Sequence, residues 1–117
     1  IIADTSSGRT IRNMAGYRGR KIIYAMCYEP ETVRLLALSF GVYPYLMEHS
    51  ADSHEFVARA LDRLIKKNKL KKEDRVVIVG GNFGRKHGAS YVEVSTAENL
   101  CSRIYSLSGD SLDCQDK

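Results

Sequence analysis

The residues best able to do chemistry stand together near the start of the chain: Thr5, Ser6, Ser7, Gly8, Arg9 and Thr10. They follow a short apolar run, Ile1–Asp4, and precede a helical pattern. Hydroxyls and backbone N–H groups around a glycine suit a phosphate. The hydroxyls donate, the glycine lets the backbone approach, and no metal is required. Read as plain structure, the same residues are a Ser or Thr helix cap within a polar turn, and a cap needs only one of them.

A second candidate stretch is "GGNFGRKHG", Gly80 to Gly88, which follows the apolar run "RVVIV". Its residues Asn82, Phe83, Gly84, Arg85, Lys86, His87 and Gly88 combine glycine freedom with positive charge. It is not a P-loop, because Lys86 is followed by His87 rather than by Ser or Thr. One reading is a mobile, basic hairpin loop. The functional reading is a flexible lid that brings cations to an anion held by the first loop.

Catalytic arrangements are missing. Cys27 and Arg34 are separated by six residues, where a phosphatase loop needs five, and Cys27 belongs to an apolar strand where an inert thiol is expected. His49, His54 and His87 share no metal-ligand spacing. Glu29 and Glu31 flank Pro30 at a helix start, where acids oppose the helix dipole. No Ser-His-Asp or paired-carboxylate arrangement can be assembled. These residues describe a binding site without chemistry and without a metal.

The elements that must position the two loops follow from periodicity. "KIIYAMC", Lys21–Cys27, and "RVVIV", Arg75–Val79, are continuously apolar, as strands covered on both faces are. Val42–Leu46 is a third strand after the first two, and its Pro44 suits an edge. Tyr91–Val94 alternates like a strand with one solvated face. Helical spacing recurs at Ile11, Met14 and Ala15, with Gly16 and Gly19 closing that segment. It recurs again at Val33, Leu36, Ala37 and Phe40 after Pro30, with Gly41 as C-terminal cap. The clearest helix runs from Asp52 to about Asn68, with Phe56, Val57, Ala60, Leu61, Leu64 and Ile65 on one face and an Asp52–Glu55 capping box. Strands alternating with helices make a parallel sheet. The fold class expected is α/β: one three-layer domain, a mostly parallel five-stranded sheet with helices on both faces and the last strand antiparallel. That domain covers residues 1–96, and residues 97–117 are expected as a loosely ordered tail into which Leu100, Ile104 and Tyr105 can dock.

Length and composition fit this picture. The 117 residues suit one domain, and 44% hydrophobic with 27% charged residues is ordinary for a soluble protein. No apolar run reaches the ~18 residues of a membrane span. The chain opens on Ile1 without Met or a basic leader, which reads as a piece cut from a longer chain. The net charge of +4 comes largely from Lys66, Lys67, Lys69, Lys71 and Lys72 at a helix end, where cations oppose the dipole. Aromatic residues are not interleaved with that run in the sequence, so no nucleic-acid partner is expected. Three cysteines without a C-x-x-C pair are neither a zinc site nor a disulfide framework, and a reduced, cytoplasmic setting fits them.

The segments "IIADTSSGRTIRNMAGYRG", "KIIYAMCYEPETVRLLALSFGVYPYLM" and "KKEDRVVIVGG", with the glycine-rich loop before "YVEV", resemble the C-terminal domain of pyruvate kinase over about residues 1–96. Its most specific pieces are S-G-R-[ST] after the first strand, the Pro-initiated helix, and G-[IV]-x-P after that helix. The resemblance implies a regulatory domain. Its parent enzyme transfers phosphate from phosphoenolpyruvate to ADP with magnesium and potassium, on a barrel absent from this chain. It also implies an effector phosphate on the loop matching Thr5–Thr10, with Thr5, Ser7, Gly8 and Thr10 on the family pattern and Ser6 where some members carry a basic residue. The effector loop matches Asn82–Gly88. Partners implied are a sugar phosphate or a nucleotide monophosphate, the catalytic barrel of the parent chain, and further copies in an oligomer, with no membrane.

Two departures qualify it. Members that bind fructose bisphosphate use a Trp and an Arg near the helix at Asp52 for the second phosphate. This chain has no Trp, and Phe56 stands near the Arg position. A monophosphate such as a hexose or ribose phosphate or AMP fits at least as well, with Arg85 or Lys86 as an alternative source of charge. The family domain also begins with helix upstream of the first strand, so one face of the sheet is expected to lack cover here. Two other readings stand beside this one: a free-standing small phospho-ligand protein or enzyme of the same fold, and a purely structural tetramerisation domain.

Overall fold

A computed structural model describes residues 1–17, 19–49, 53–80 and 91–108. Strand and helix alternate: β1 (Ile2–Thr5), α1 (Arg9–Ala15), β2 (Ile23–Cys27), α2 (Pro30–Leu36), β3 (Val42–Leu46), α3 (Ser53–Lys66), β4 (Arg75–Gly80), β5 (Tyr91–Thr96) and α4 (Ala97–Ser108). The sheet has five strands in the order β3-β2-β1-β4-β5. β1, β2, β3 and β4 are parallel, and β5 runs antiparallel to β4. This is the expected α/β architecture.

Alternation along the strands sends side chains to two cores. On one face Ile2, Met26, Met47 and Ile78 meet α3 and α4. On the other Ala3, Ala25, Cys27 and Val42 meet α1 and α2 through Ile11, Ala15 and Leu36. The expected α3 stripe is buried throughout, from Phe56 at 0% exposure to Val57 at 5%. Pro44 lies on β3, the outermost strand, opposite Ala25. A missing N–H there leaves no interior ladder bond unmade.

Three details differ from the sequence reading. α2 ends at Leu36, so only Leu36 of the expected stripe is fully buried; Phe40 is 54% exposed. Gly41, at φ 66°, turns the chain into β3 instead of capping the helix, and its carbonyl accepts the Ile23 N–H at 2.9 Å. Past β5 the chain is helical over Ala97–Ser108, where a loose tail was expected. Thr96 accounts for the helix start: its Oγ1 accepts the Asn99 N–H at 3.2 Å, a cap three residues ahead. Leu100 and Cys101 then reach the α3 core. Residues 109–117 and Asp52 of the capping box lie outside the described residues, and Glu55 is ion-paired with Arg59 at 2.5 Å.

Among the described residues, one face of the sheet is covered only in part. α1 and α2 lie over the β1–β3 half of their face. On the β4–β5 half of that face Val77 pairs with Val94 and Val79 with Val92, and Val92 and Val94 are 65% and 60% exposed.

Candidate functional site

In open α/β sheets ligands bind beyond the carboxyl ends of the strands. β1 ends there in Thr5, β2 in Cys27 and β4 in Gly80. β1 is the middle strand, so the loop after it lies between its neighbours' ends. The Tyr28 N–H bonds the Thr5 carbonyl at 3.3 Å and carries the ladder up to that loop.

Thr5 to Thr10 form a turn held from within and from behind. The Thr5 Oγ1 accepts the Gly8 N–H at 2.7 Å, and the Ser7 Oγ accepts the Arg9 N–H at 3.3 Å. The Thr32 hydroxyl, on α2, donates to the Ser6 carbonyl at 2.5 Å. Gly8 adopts φ 89°, a left-handed conformation that costs an L side chain about 1–2 kcal/mol. A Cβ on Gly8 would come 3.3 Å from Leu36 Cδ2, tighter than ordinary contact. The glycine therefore serves both the turn and the packing of α2 beneath it.

The six expected residues divide in two. Thr5 and Gly8 are buried, and their polar groups hold the turn. Ser7 and Arg9 are exposed, with Ser6 and Thr10 half-buried. Ser7 and Arg9 are thus the most accessible of the six. Asn82, Phe83, Gly84, Arg85, Lys86, His87 and Gly88 lie outside the described residues. The strands flanking that segment are in place: Gly80 and Tyr91 are paired, and the Tyr91 ring lies over Gly80, 3.0 Å from where a Cβ would stand.

One feature of the site went unread in the sequence. Asp4, the last residue before the loop, is 4% exposed, and its Oδ2 accepts the Tyr28 hydroxyl at 2.8 Å. The edge of the His49 ring meets the Tyr28 ring, centroids 5.2 Å apart. A buried carboxylate requires hydrogen bonding to be tolerated, and Tyr28 supplies a donor. Burial, then the charge of Asp4, push the Tyr28 hydroxyl well above its ordinary value. The available signal was an acid closing an apolar strand, with a tyrosine just past the end of the neighbouring strand.

Cys27 is a free, buried thiol with no acid-base role, pushed up to about 11 by burial. Both raised groups, Tyr28 and Cys27, are neutral in the fold, so they favour it below their ordinary values and oppose it above them. Stability is expected to hold to about pH 9, the ordinary thiol value, and then to fall. From pH 10 Tyr28 adds its share. Each group contributes a slope of roughly 1.4 kcal/mol per pH unit while it titrates. Urea unfolding at a series of pH values checks this: in Cys27→Ala the decline should begin near pH 10 instead of 9, and an unmoved onset would remove the thiol from the account.

Among the described residues no three His, Cys, Asp or Glu side chains gather as a metal would require. No helix there is long and apolar enough to cross a membrane.

The family model for the pyruvate kinase alpha/beta domain matches residues 1–95. Pyruvate kinase from Borreliella burgdorferi is 33% identical over 102 residues, covering 85% of this chain and 21% of that protein. Pyruvate kinase from Dictyostelium discoideum is 36% identical over 81 residues, 69% of this chain and 16% of that one. The crystal structure of a Cryptosporidium parvum pyruvate kinase superposes with a TM-score of 0.71 at 23% identity, over 82% of this chain and 18% of that one. The chain thus spans about a fifth of the length of these relatives. On this match, which covers almost every strand and helix described above, the chain belongs to the pyruvate kinase alpha/beta-domain family.

Proposed function

We propose that this chain is the regulatory domain of a pyruvate kinase and that it binds a phosphorylated effector on the turn from Thr5 to Thr10. The observation that carries the reading is the turn itself. Gly8 holds a left-handed backbone, Thr32 and Leu36 fix it from behind, and Ser7 is exposed and Thr10 half-buried at a carboxyl edge of the sheet. Preorganised donors of this kind bind an anion with little ordering cost. Arg9 adds a guanidinium whose planar fork suits phosphate.

The ligand class is a sugar phosphate or a nucleotide monophosphate. Phe56 is wholly buried, so the helix position that serves a second phosphate in bisphosphate-binding members is unavailable here. The parent reaction, phosphate transfer from phosphoenolpyruvate to ADP, belongs to the remaining four-fifths of the full-length relatives, and the chain alone is catalytically inert. Magnesium and potassium serve that reaction; the described residues offer no cluster to hold a metal, and no step on this chain runs through one. The exposed Val92 and Val94 mark a surface that the rest of a longer chain, or another copy in a cytoplasmic oligomer, would cover.

Thermal unfolding with and without ligand tests the reading. At a hundredfold excess over its Kd, a hexose or ribose phosphate should add about 2.7 kcal/mol of stability. Ser7→Ala combined with Thr10→Ala should abolish that gain while the unliganded chain melts as before. No gain from any phosphorylated metabolite would favour a structural tetramerisation role instead. Turnover of phosphoenolpyruvate or a phosphate ester by the purified chain would overturn the binding-module reading.

A further inference from the structure

The lysines at the end of α3 stand apart from aromatic residues in the sequence, but the fold brings the two sets together. Tyr43 and Tyr45, two residues apart on β3, share one face of the edge strand, and Tyr24 of β2 lies opposite Tyr43 in register. The Tyr24 ring is edge-on to Tyr43 at 6.0 Å and tilted against Tyr45 at 6.3 Å. Cations from the end of α3 overlie this triad: Arg63 is 5.1 Å and Lys67 5.6 Å from the Tyr45 centroid, and Lys69 is 5.6 Å from that of Tyr43. Tyr43 is 45% exposed, and Lys67 and Lys69 are exposed and ion-paired to no described carboxylate. The Tyr24 hydroxyl bonds the Lys69 carbonyl at 3.4 Å, which ties the lysine segment to the strands.

We propose that this edge, formed by Tyr24, Tyr43, Tyr45, Arg63, Lys67 and Lys69, binds single-stranded nucleic acid. Tyr43 and Tyr45 leave the strand about 7 Å apart, since each residue rises about 3.3 Å. Tyr43, the exposed ring of the three, offers a base a stacking partner, and the cations over the rings hold positive charge at the same edge for the phosphates, which is the chemistry of sequence-tolerant strand binding. An acidic peptide or an anionic membrane would use the lysines and leave the exposed Tyr43 ring unused. The surface is formed by β2, β3 and the end of α3, so it is separate from the turn at Thr5–Thr10.

Fluorescence polarisation with a labelled thymidine oligonucleotide of about 12 nucleotides tests it at low salt, near 50 mM. Binding in the micromolar range is expected, weakening roughly sevenfold to twentyfold by about 200 mM salt as two or three phosphate contacts are screened. Tyr43→Ala should weaken binding about tenfold, the loss of one stacked base, and Tyr43→Phe should restore it. Lys67→Ala with Lys69→Ala, both on exposed positions, should lower affinity and flatten the salt dependence. No binding at low salt would overturn the proposal. So would equal affinity for a duplex of the same length, or for phosphatidylserine vesicles, with no loss in Tyr43→Ala. Thermal unfolding of each variant separates lost binding from lost fold.

Discussion

Phe56→Ala is expected to remove about 3–5 kcal/mol of stability, the largest effect of any single substitution considered for this chain. Phe56 is 0% exposed and sits in the core shared by α3, α4 and the sheet. Truncating it loses the transfer energy of a phenyl ring and leaves a cavity that Met26, Leu61 and Ile78, themselves fully buried, cannot fill without leaving their own contacts. Domains of this size are stable by only about 5–15 kcal/mol, so the variant should populate the unfolded state measurably at room temperature. Urea unfolding gives the answer directly. A loss under about 1 kcal/mol would mean the ring does not pack as described.

The second large effect concerns Gly8. Gly8→Val should cost the fold about 1–3 kcal/mol, through the left-handed backbone and the β-branch pressed toward Leu36. It should also erase the ligand-dependent stabilisation, since relieving the strain means moving Ser7 and Thr10. Gly8→Ala should keep part of both. The distinguishing measurement is the ligand-induced shift in each variant, taken relative to its own unliganded midpoint. A full shift in Gly8→Val would place the ligand elsewhere on the chain.

Much of this was open to reading in the sequence. Continuous apolar runs located the inner strands, because a strand covered on both faces has no polar side to alternate. The α3 stripe located the largest core, and Pro44 located an edge. What escaped reading depends on contacts between distant segments. α2 stops at Leu36 although its apolar spacing continues to Phe40, because the chain turns at Gly41 to enter β3. α4 forms because Leu100 and Cys101 find a core made by α3, a tertiary gain that local composition does not announce. The loop at Thr5–Thr10 was legible as a polar turn, but the division between residues that hold it and residues that face out needed Thr32 and Leu36 from another helix. The Asp4–Tyr28 pair joins the ends of two strands, and the tyrosine triad joins a strand edge to a helix end.

The position of β1 has one more consequence. The chain's first strand is the middle of its sheet, and Ile2 pairs with both Tyr24 and Ile78. The second closure spans more than three times as much chain as the first, and loop entropy makes it about 1 kcal/mol costlier. Assembly is therefore biased toward a beginning on β1, β2 and β3 with α1 and α2, with β4 and β5 joining afterwards. The half that forms early carries the turn at Thr5–Thr10, and it is complete before the last two strands arrive.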